Sequence, residues 1–221
     1  MAGSDSKQRR PWRWIAGGIA ALVVLVVAVP FLYIHLIQGP PPKQLTLPSS
    51  PAASSGSAHS TAGDSTSPVD GTWKVTAGSQ AGYRVKEVLA GQPDTAVGRT
   101  SQVTGSFQIT GATVTAGTVT VDLRTVTSDE GRRDDQFNGR IMDTAAHPFA
   151  TFTLTKPVEL GSADALDKVA SVKATGTLAM HGVTRSTSAS LQLRYTGSAF
   201  QISGSIPVKF SDWAIANPSF D

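Results

Sequence analysis

The chain contains no cysteine, and this absence removes several kinds of structure and chemistry at once. Without cysteine there is no disulfide, no thiolate-bound metal, no catalytic thiol and no lipid on an N-terminal cysteine. The fold must therefore be stabilised by its hydrophobic core. Residues 69–221 number about 150, a size at which a domain buries close to 70% of the surface of its unfolded chain, so one domain is sufficient.

The chain also lacks an excess of either charge beyond its N-terminal part. Five of the 19 Lys and Arg residues and two of the 16 Asp and Glu residues precede residue 69, which leaves 14 of each sign in residues 69–221. The formal charge of +3 therefore belongs to the N-terminal part. Because a nucleic-acid-binding domain needs a basic face, this neutrality argues against nucleic acid as a partner.

Motifs of common catalytic and metal sites are missing as well. There is no G-x-S-x-G elbow for a serine nucleophile and no glycine-rich phosphate loop. His147 and His181 stand far apart in the sequence, without other ligands at metal-binding spacing. The carboxylates from Asp129 to Asp143 alternate with arginines, which is more typical of a solvated cap than of a hydrolytic pair. We therefore expect no enzyme activity, no metal and no cofactor.

One long apolar run is present, at residues 15–37, with basic residues on its N-terminal side only. As a helix it would be roughly 35 Å long, enough for a hydrocarbon core of about 30 Å. A cleavable signal peptide is the alternative, although its apolar core is usually about 7–15 residues long. We expect an uncleaved transmembrane helix, with residues 1–14 as a cytoplasmic head because cations concentrate on the cytoplasmic side.

Residues 38–68 form a linker rich in Pro, Ser, Ala and Gly, with almost no large apolar side chains. Because such a composition buries too little surface to offset the entropy of ordering, we expect a disordered stalk. Its reach lies between roughly 30 Å for a random coil and roughly 90 Å for a polyproline-like strut. The expected protein is single-pass in the cell membrane, with residues 69–221 as an extracytoplasmic domain.

From residue 72 onward, apolar and polar side chains alternate with a period of two, which is typical of half-buried antiparallel strands. Gly105, Gly176 and Gly204 lie inside such runs and indicate bulges or sharp bends. Residues 128–146 are predicted to form a short helix or ordered loop that caps one end. About eight strands are expected, near 72–76, 80–90, 97–110, 113–127, 149–158, 169–181, 184–196 and 199–210.

These strands predict an all-β, antiparallel barrel, and its interior allows two interpretations. An eight-stranded barrel either fills itself with side chains or holds one small apolar ligand. The inward positions mix bulky residues such as Phe107 and Phe152 with small ones such as Gly176 and Ala189. Alternation alone does not decide between a packed core and a pocket.

Two stretches carry motifs of a known family. RDDQF at 133–137, followed by Ile141, Asp143 and HPFATF at 147–152, matches an Arg-Asp-x-x-Leu helix that leads through an aspartate to an aromatic-Pro-x-x-x-Phe strand. GTLAMHGVTR at 176–185 matches a Gly-x-Leu-x-x-His-Gly-Val-Thr-Arg hairpin. Over most of residues 70–221 the sequence therefore resembles the YceI-like, polyisoprenoid-binding family.

The resemblance implies an exported, lipocalin-like antiparallel β-barrel, not known as an enzyme, around an elongated pocket for an isoprenoid chain. It assigns Arg133, Asp134, Phe137 and Asp143 to a cap at the end of the pocket, and His181, Gly182 and Thr184 to a structural hairpin. The inward positions that we expect to line the pocket are Phe107, Ile109, Val119, Val121, Leu123, Phe137, Ile141, Phe152, Leu154, Leu178, Leu191, Leu193 and Phe200.

This sequence departs from the family pattern at three places. Phe137 stands where leucine is usual, and His147 replaces the aromatic residue before the proline. The family normally adds a strand after a segment like 211–215, whereas this chain ends at Asp221. We therefore expect either a shortened product or a barrel that lacks its final strand and has an open edge.

The resulting hypothesis is a membrane-tethered, extracytoplasmic protein that sequesters or carries an apolar lipid, either an isoprenoid or a quinone. The alternative is a cell-surface structural or protein-interaction β-domain with a packed, ligand-free interior. The sequence does not predict an oligomeric state.

Overall fold

The alternating pattern folds into strands in the structure, a computed structural model, which describes residues 41–48, 69–89, 92–161 and 166–216. The strands are β1 Gly71–Lys74, β2 Ala81–Leu89, β3 Gln92–Thr100, β4 Val103–Thr110, β5 Thr113–Asp122, β6 Phe149–Leu154, β7 Val158–Glu159, β8 Ala170–Met180, β9 Val183–Tyr195 and β10 Phe200–Ser205.

Short helical segments join some of these strands. The predicted cap at 128–146 is confirmed, since helix α1 spans Gly131–Gln136 and continues as a π-helical turn over Phe137–Ile141. Two 3-10 turns, Leu123–Thr125 and Phe210–Trp213, follow β5 and β10. These segments gather at one end of the large sheet, where they contribute to a single buried cluster.

Eight strands form one antiparallel sheet in the order β1-β4-β5-β6-β8-β9-β10, with β7 paired to β5. β2 and β3 form a separate two-stranded sheet. β1 and β10 end the hydrogen-bonded path of the large sheet, yet the rings of Trp73 on β1 and Phe200 on β10 lie 4.8 Å apart. The sheet therefore curls into a half-barrel, which confirms the predicted all-β antiparallel class.

Three glycines allow the strands to bend. A Cβ built on Gly105, Gly176 or Gly204 would lie only 2.3, 2.3 or 2.4 Å from a carbonyl oxygen of the neighbouring strand. Only glycine accepts such a close approach between backbones. Pairing runs in register through all three, and the register shift between β4 and β5 falls at Gln108 and Ile109 instead. The three glycines are therefore bends and not bulges.

Two predicted strands end earlier than the alternation suggests because polar side chains bond the backbone locally. The run predicted at 97–110 breaks after Thr100, whose Oγ1 accepts the N–H of Gln102 at 2.9 Å. The run predicted at 113–127 ends at Asp122, whose carboxylate accepts the N–H of Arg124 at 3.1 Å and begins a 3-10 turn. Such local bonds compete with the ladder between strands.

Prolines shorten two other predicted strands. The run predicted at 149–158 separates into β6 and the two-residue β7, with Pro157 between them. The run predicted at 199–210 ends at Ser205, shortly before Pro207. Proline has no N–H to donate to a ladder, so β6, which has partners on both sides, does not continue through Pro157.

The chain divides into two compact units. The smaller comprises Met1–Pro42 and Arg84–Ala96, and in its described part Nη1 of Arg84 donates to the Pro42 carbonyl at 2.7 Å. The larger comprises Lys43–Tyr83 and Val97–Asp221 and contains the half-barrel.

The predicted span at 15–37 lies outside the described residues. Within the described ranges, no helix is both long enough and apolar enough to cross a membrane.

Candidate functional site

The candidate site is the concave face of the half-barrel, to which alternate residues of each strand contribute. On β8 these are the even-numbered positions from Ala170 to Met180, all of them apolar, which span about 33 Å at roughly 3.3 Å per residue. The register places Leu178 opposite Phe152 and Ala170 opposite Leu193. The inward side of β8 is therefore apolar over about 30 Å, and its middle positions Ala174, Gly176 and Leu178 are already buried by neighbouring side chains.

One end of the concave face is closed by an aromatic cluster, which we define as Trp73, Phe107, Tyr195 and Phe200. The Trp73 ring lies 4.8 Å from Phe200, 5.9 Å from Tyr195 and 6.5 Å from Phe107, measured between centroids. Its Nε1–H donates to the Val69 carbonyl at 2.8 Å, so the buried indole has its hydrogen bond. Ring packing therefore seals this end.

The other end is closed by a cap cluster, which consists of Leu123, Val126, Phe137, Met142, Leu178, Trp213 and Ile215. Phe137, from the turn after α1, stacks on Tyr83 with centroids 4.9 Å apart. Trp213 is 3% exposed and its Nε1–H donates to the Leu178 carbonyl at 3.3 Å. The cap that the sequence predicted is thus built from the turn after α1 and from a 3-10 turn far along the chain.

The predicted hairpin explains the second family motif. His181 and Gly182, with φ of 50° and 73°, form the two-residue turn between β8 and β9. The His181 Nδ1–H donates to the Trp213 carbonyl at 3.0 Å, and the Arg185 Nε–H donates to the Asp212 carbonyl at 2.8 Å. The motif residues therefore hold the 210–213 turn against the cap. Alternation could not reveal these acceptors because they lie in a distant part of the chain.

The first family motif organises the loop before α1. Oδ1 of Asp134 accepts the backbone N–H of Ser128 at 2.8 Å and its hydroxyl at 2.7 Å. Arg133 forms an ion pair with Asp129 one helical turn away. Asp143 ends the segment with a φ of 42° and is exposed. Asp129 and Asp134 therefore have structural partners within the cap.

His147 occupies the aromatic position of the family motif, and its imidazole ring packs against neighbouring residues as an aromatic ring would. It packs at 5.1 Å on the His181 ring, and a Cβ on Gly182 would meet its Cε1 at 3.0 Å. A depression of about 310 Å³ beside it, lined also by Phe149 and Thr151, lies on the convex face. Among the described residues, no group of three His, Cys, Asp or Glu side chains is placed to bind a metal.

The Asp122–Arg124 pair lies beside the cap. The hydrogen bond from the Arg124 guanidinium lowers the pKa of the Asp122 carboxyl, and the same bond raises the pKa of Arg124. The guanidinium also lies 5.3 Å above the Phe149 ring. This pair stabilises the 3-10 turn at 123–125, which places Leu123 in the cap cluster.

The thirteen residues predicted to line a pocket occupy two places. Leu123, Phe137 and Ile141 are in the cap, and the other ten lie on strands of the concave face. Five are buried: Ile109, Leu123, Phe137, Leu178 and Leu193. Eight are half-buried: Phe107, Val119, Val121, Ile141, Phe152, Leu154, Leu191 and Phe200. The half-buried set is better placed to contact a ligand, and its role stays a prediction.

Ile202 is a residue of this face that we did not predict as part of the site. It pairs with Leu193, which is 4% exposed, whereas Ile202 itself is 47% exposed. The difference arises because β10 has a hydrogen-bonded neighbour on one side only among the strands that the structure describes. We call the unpaired edge of β10, residues 202–205, the seam. Alternation identifies the face of Ile202 but not its place at an edge.

Comparisons with known proteins agree with this fold. The YceI-like domain matches residues 73–220. BcnA of Burkholderia cenocepacia is similar in structure, with a TM-score of 0.51 and 16% identity over 62% of this chain and 82% of that one. A polyisoprenoid binding domain from Saccharophagus degradans, implicated in plant cell wall breakdown, has a TM-score of 0.46 and 20% identity over 62% and 75% of the two chains.

No curated protein matches the chain. The likeness to BcnA shows a shared fold, and the family match spans about two thirds of the chain. The chain belongs to the YceI-like domain family.

Proposed function

We propose that this chain is a membrane-tethered, extracytoplasmic protein that binds a long apolar lipid on its concave face and is not an enzyme. The observation that carries the proposal is the apolar concave face, whose half-buried side chains, among them Phe152 and Leu191, continue to the exposed Ile202 on β10. The resemblance to the YceI-like family favours an isoprenoid chain, carried by a polyprenyl lipid or a quinone.

Burial supplies the binding free energy in this proposal. Phe107, Phe152 and Leu191 present apolar surface that is neither fully buried nor fully exposed. At roughly 25 cal/mol per Å², a ligand that covers a few hundred Å² would gain several kcal/mol before ordering costs are subtracted. Such a ligand needs no charged side chain to bind it, and the main requirement is that its shape fits the concave face.

The membrane tether would keep the site beside its ligand. Residues 15–37 are the proposed span, and the basic residues before them favour a cytoplasmic N-terminus. Isoprenoid lipids partition into the bilayer, so a tethered binding protein searches a surface and not the whole solution. The tether and the location are parts of the proposal.

The test is photolabelling of the full chain in nanodiscs with a diazirine-bearing isoprenoid alcohol, with labelled residues mapped by mass spectrometry. We expect saturable labelling on the concave face that unlabelled isoprenoid competes away. Ile202→Lys should lower this labelling about tenfold, because a charge at the seam must be desolvated when the ligand binds. Val169→Lys, at another half-exposed aliphatic residue, is the matched control.

Equal labelling of Ile202→Lys and the Val169→Lys control would refute a ligand position at the seam. Labelling that excess isoprenoid does not compete away would refute lipid binding and would favour the second candidate, a structural or protein-interaction domain with a solid interior. The aromatic cluster favours that candidate, since it fills one end of the half-barrel with four rings.

A further inference from the structure

Residues 43–48, KQLTLP, lie against the half-barrel, and we call this segment the strap. Its carbonyl oxygens accept hydrogen bonds from side chains of three different strands. The pairs are Arg99 Nη2 of β3 with Lys43, Ser203 Oγ of β10 with Leu45 at 2.8 Å, and Arg194 Nη2 of β9 with Pro48 at 2.9 Å. The strap therefore crosses the outer side of the seam.

The strap also covers side chains. Leu47 is half-buried, unlike its exposed neighbours Thr46 and Pro48. Arg194 donates to Gln201 at 2.7 Å as well as to the strap, and its Nε is buried without a hydrogen bond. A guanidinium covered in this way depends on the remaining acceptors, because an unsatisfied buried donor is costly. Removing the strap would remove one of them.

We propose that the docked strap makes the seam the membrane-facing surface of the protein. This inference rests on the membrane tether proposed above. Lys43 follows the end of the proposed span, position 37, by six residues. Six residues reach at most about 20 Å. If the strap were not docked, the linker between the span and Val69 would be the whole of residues 38–68. A linker of that length would let the half-barrel turn in any direction.

The chemistry of this surface fits a lipid bilayer that contains anionic lipids. Leu45, Ile202 and Val208 are 40%, 47% and 39% exposed. Lys43 stands two residues before Leu45 and Lys209 directly follows Val208; both lysines are exposed and form no ion pair with any described residue. Apolar side chains among cations suit the interface of an anionic membrane.

A seam held against the bilayer has a direct functional consequence. An apolar ligand could move from the membrane to the concave face past Ile202, without exposing its length to water. The strap therefore orients the half-barrel, and the open edge becomes the route of entry.

The first arm of the test measures depth in mixed phosphatidylcholine–phosphatidylglycerol vesicles that carry a nitroxide-labelled lipid. Because the full chain has no cysteine, Val208→Cys and Thr155→Cys each accept a single fluorophore. Lipid nitroxides should strongly quench the label at position 208, which follows the seam by three residues. They should quench the label at position 155, after β6, at least several-fold less. Equal quenching at both positions would overturn the proposed orientation.

The second arm places the same flexible insert on either side of the strap. A Gly/Ser segment of about 20 residues has a root-mean-square span of about 25 Å. Inserted between residues 42 and 43 it lengthens the tether, and quenching at position 208 should fall by at least half. Inserted between residues 58 and 59 it lengthens only the connection from the strap to Val69, and quenching should not change.

The outcomes separate this inference from the proposed function. If the two inserts act alike, the strap is not docked and the inference is wrong, whether or not isoprenoid labelling succeeds. A chain that does not co-float with vesicles refutes the tether itself, and the proposed function falls with it. If position 208 stays unquenched on vesicles that bind the chain, the seam does not face the membrane and the inference is wrong.

Discussion

The two ends of the half-barrel are closed by different kinds of interaction. The aromatic cluster seals its end by ring packing, with one indole hydrogen bond to Val69. The cap cluster depends on directional bonds, since His181 and Arg185 donate to carbonyls of the 210–213 turn and the Trp213 indole donates back to β8. The aromatic end is stabilised by the packing of rings, and the cap end by hydrogen bonds between particular donors and acceptors.

This difference explains where the family motifs lie. A hydrogen bond between distant parts of the chain requires a particular side chain at a particular position, so the histidine and arginine of the hairpin leave a readable signature. Packing in a core tolerates other apolar residues of similar volume. The cap end is therefore recognisable in sequence, whereas the four residues of the aromatic cluster lie outside both motif stretches, 133–152 and 176–185.

The largest expected effect is at the aromatic end. Trp73→Ala removes the ring at the centre of the aromatic cluster and should lower the free energy of unfolding by about 3–5 kcal/mol, out of a typical total of about 5–15 kcal/mol. Urea denaturation of the full chain, followed by circular dichroism, measures it. Phe149→Ala is the control, because that ring is 48% exposed. Equal losses in the two variants would contradict sealing by ring packing.

A smaller and more local effect is expected at the cap. His181→Ala leaves the Trp213 carbonyl without its donor and should lower the free energy of unfolding by about 1–3 kcal/mol. Adding Arg185→Ala to His181→Ala should lower the free energy of unfolding by less than Arg185→Ala does alone, because both residues hold one turn. Hydrogen exchange should quicken at Ile215, whose N–H bonds to the Phe210 carbonyl, and not in β1 or β4.

The control for that variant is His181→Asn. Asparagine accepts the left-handed backbone found at His181, where φ is 50°, but its side chain is shorter. If His181→Asn is as stable as the natural protein, the turn and not the bond to Trp213 accounts for the loss. The contrast between the two ends would then need revision.

The smallest effect is expected at Asp122 beside the cap. Its folded-state pKa lies below the usual 3.8 because Arg124 donates to the carboxylate. A lowered pKa means that this stabilisation is fully present above about pH 4 and is lost as pH falls through the folded value. Asp122→Asn should therefore be slightly less stable than the natural protein at neutral pH, and the difference should vanish in acid and shrink in high salt. A difference that stays constant from neutral pH to about pH 3 would exclude this pair as its source.

Much of the fold was predictable because its signals are local. Alternation identified the concave face, and His181-Gly182 identified the hairpin between β8 and β9. The predicted strand ends were less accurate, because a single bond at Thr100 or Asp122 stops a ladder while the alternation continues beyond it. For the site, the sequence indicated which residues share a face but not which of them remain accessible.

The sequence by itself determined the strand periodicity, the bends at its inward glycines and the family motifs, since each of these depends on neighbouring residues or on one specific side chain. Only the tertiary structure decided that Leu193 is buried while its partner Ile202 is exposed, that His181 reaches Trp213, and that residues 43–48 lie across β10. Burial and long-range hydrogen bonds depend on which strand lies alongside, and that arrangement exists only after the whole sheet has curled.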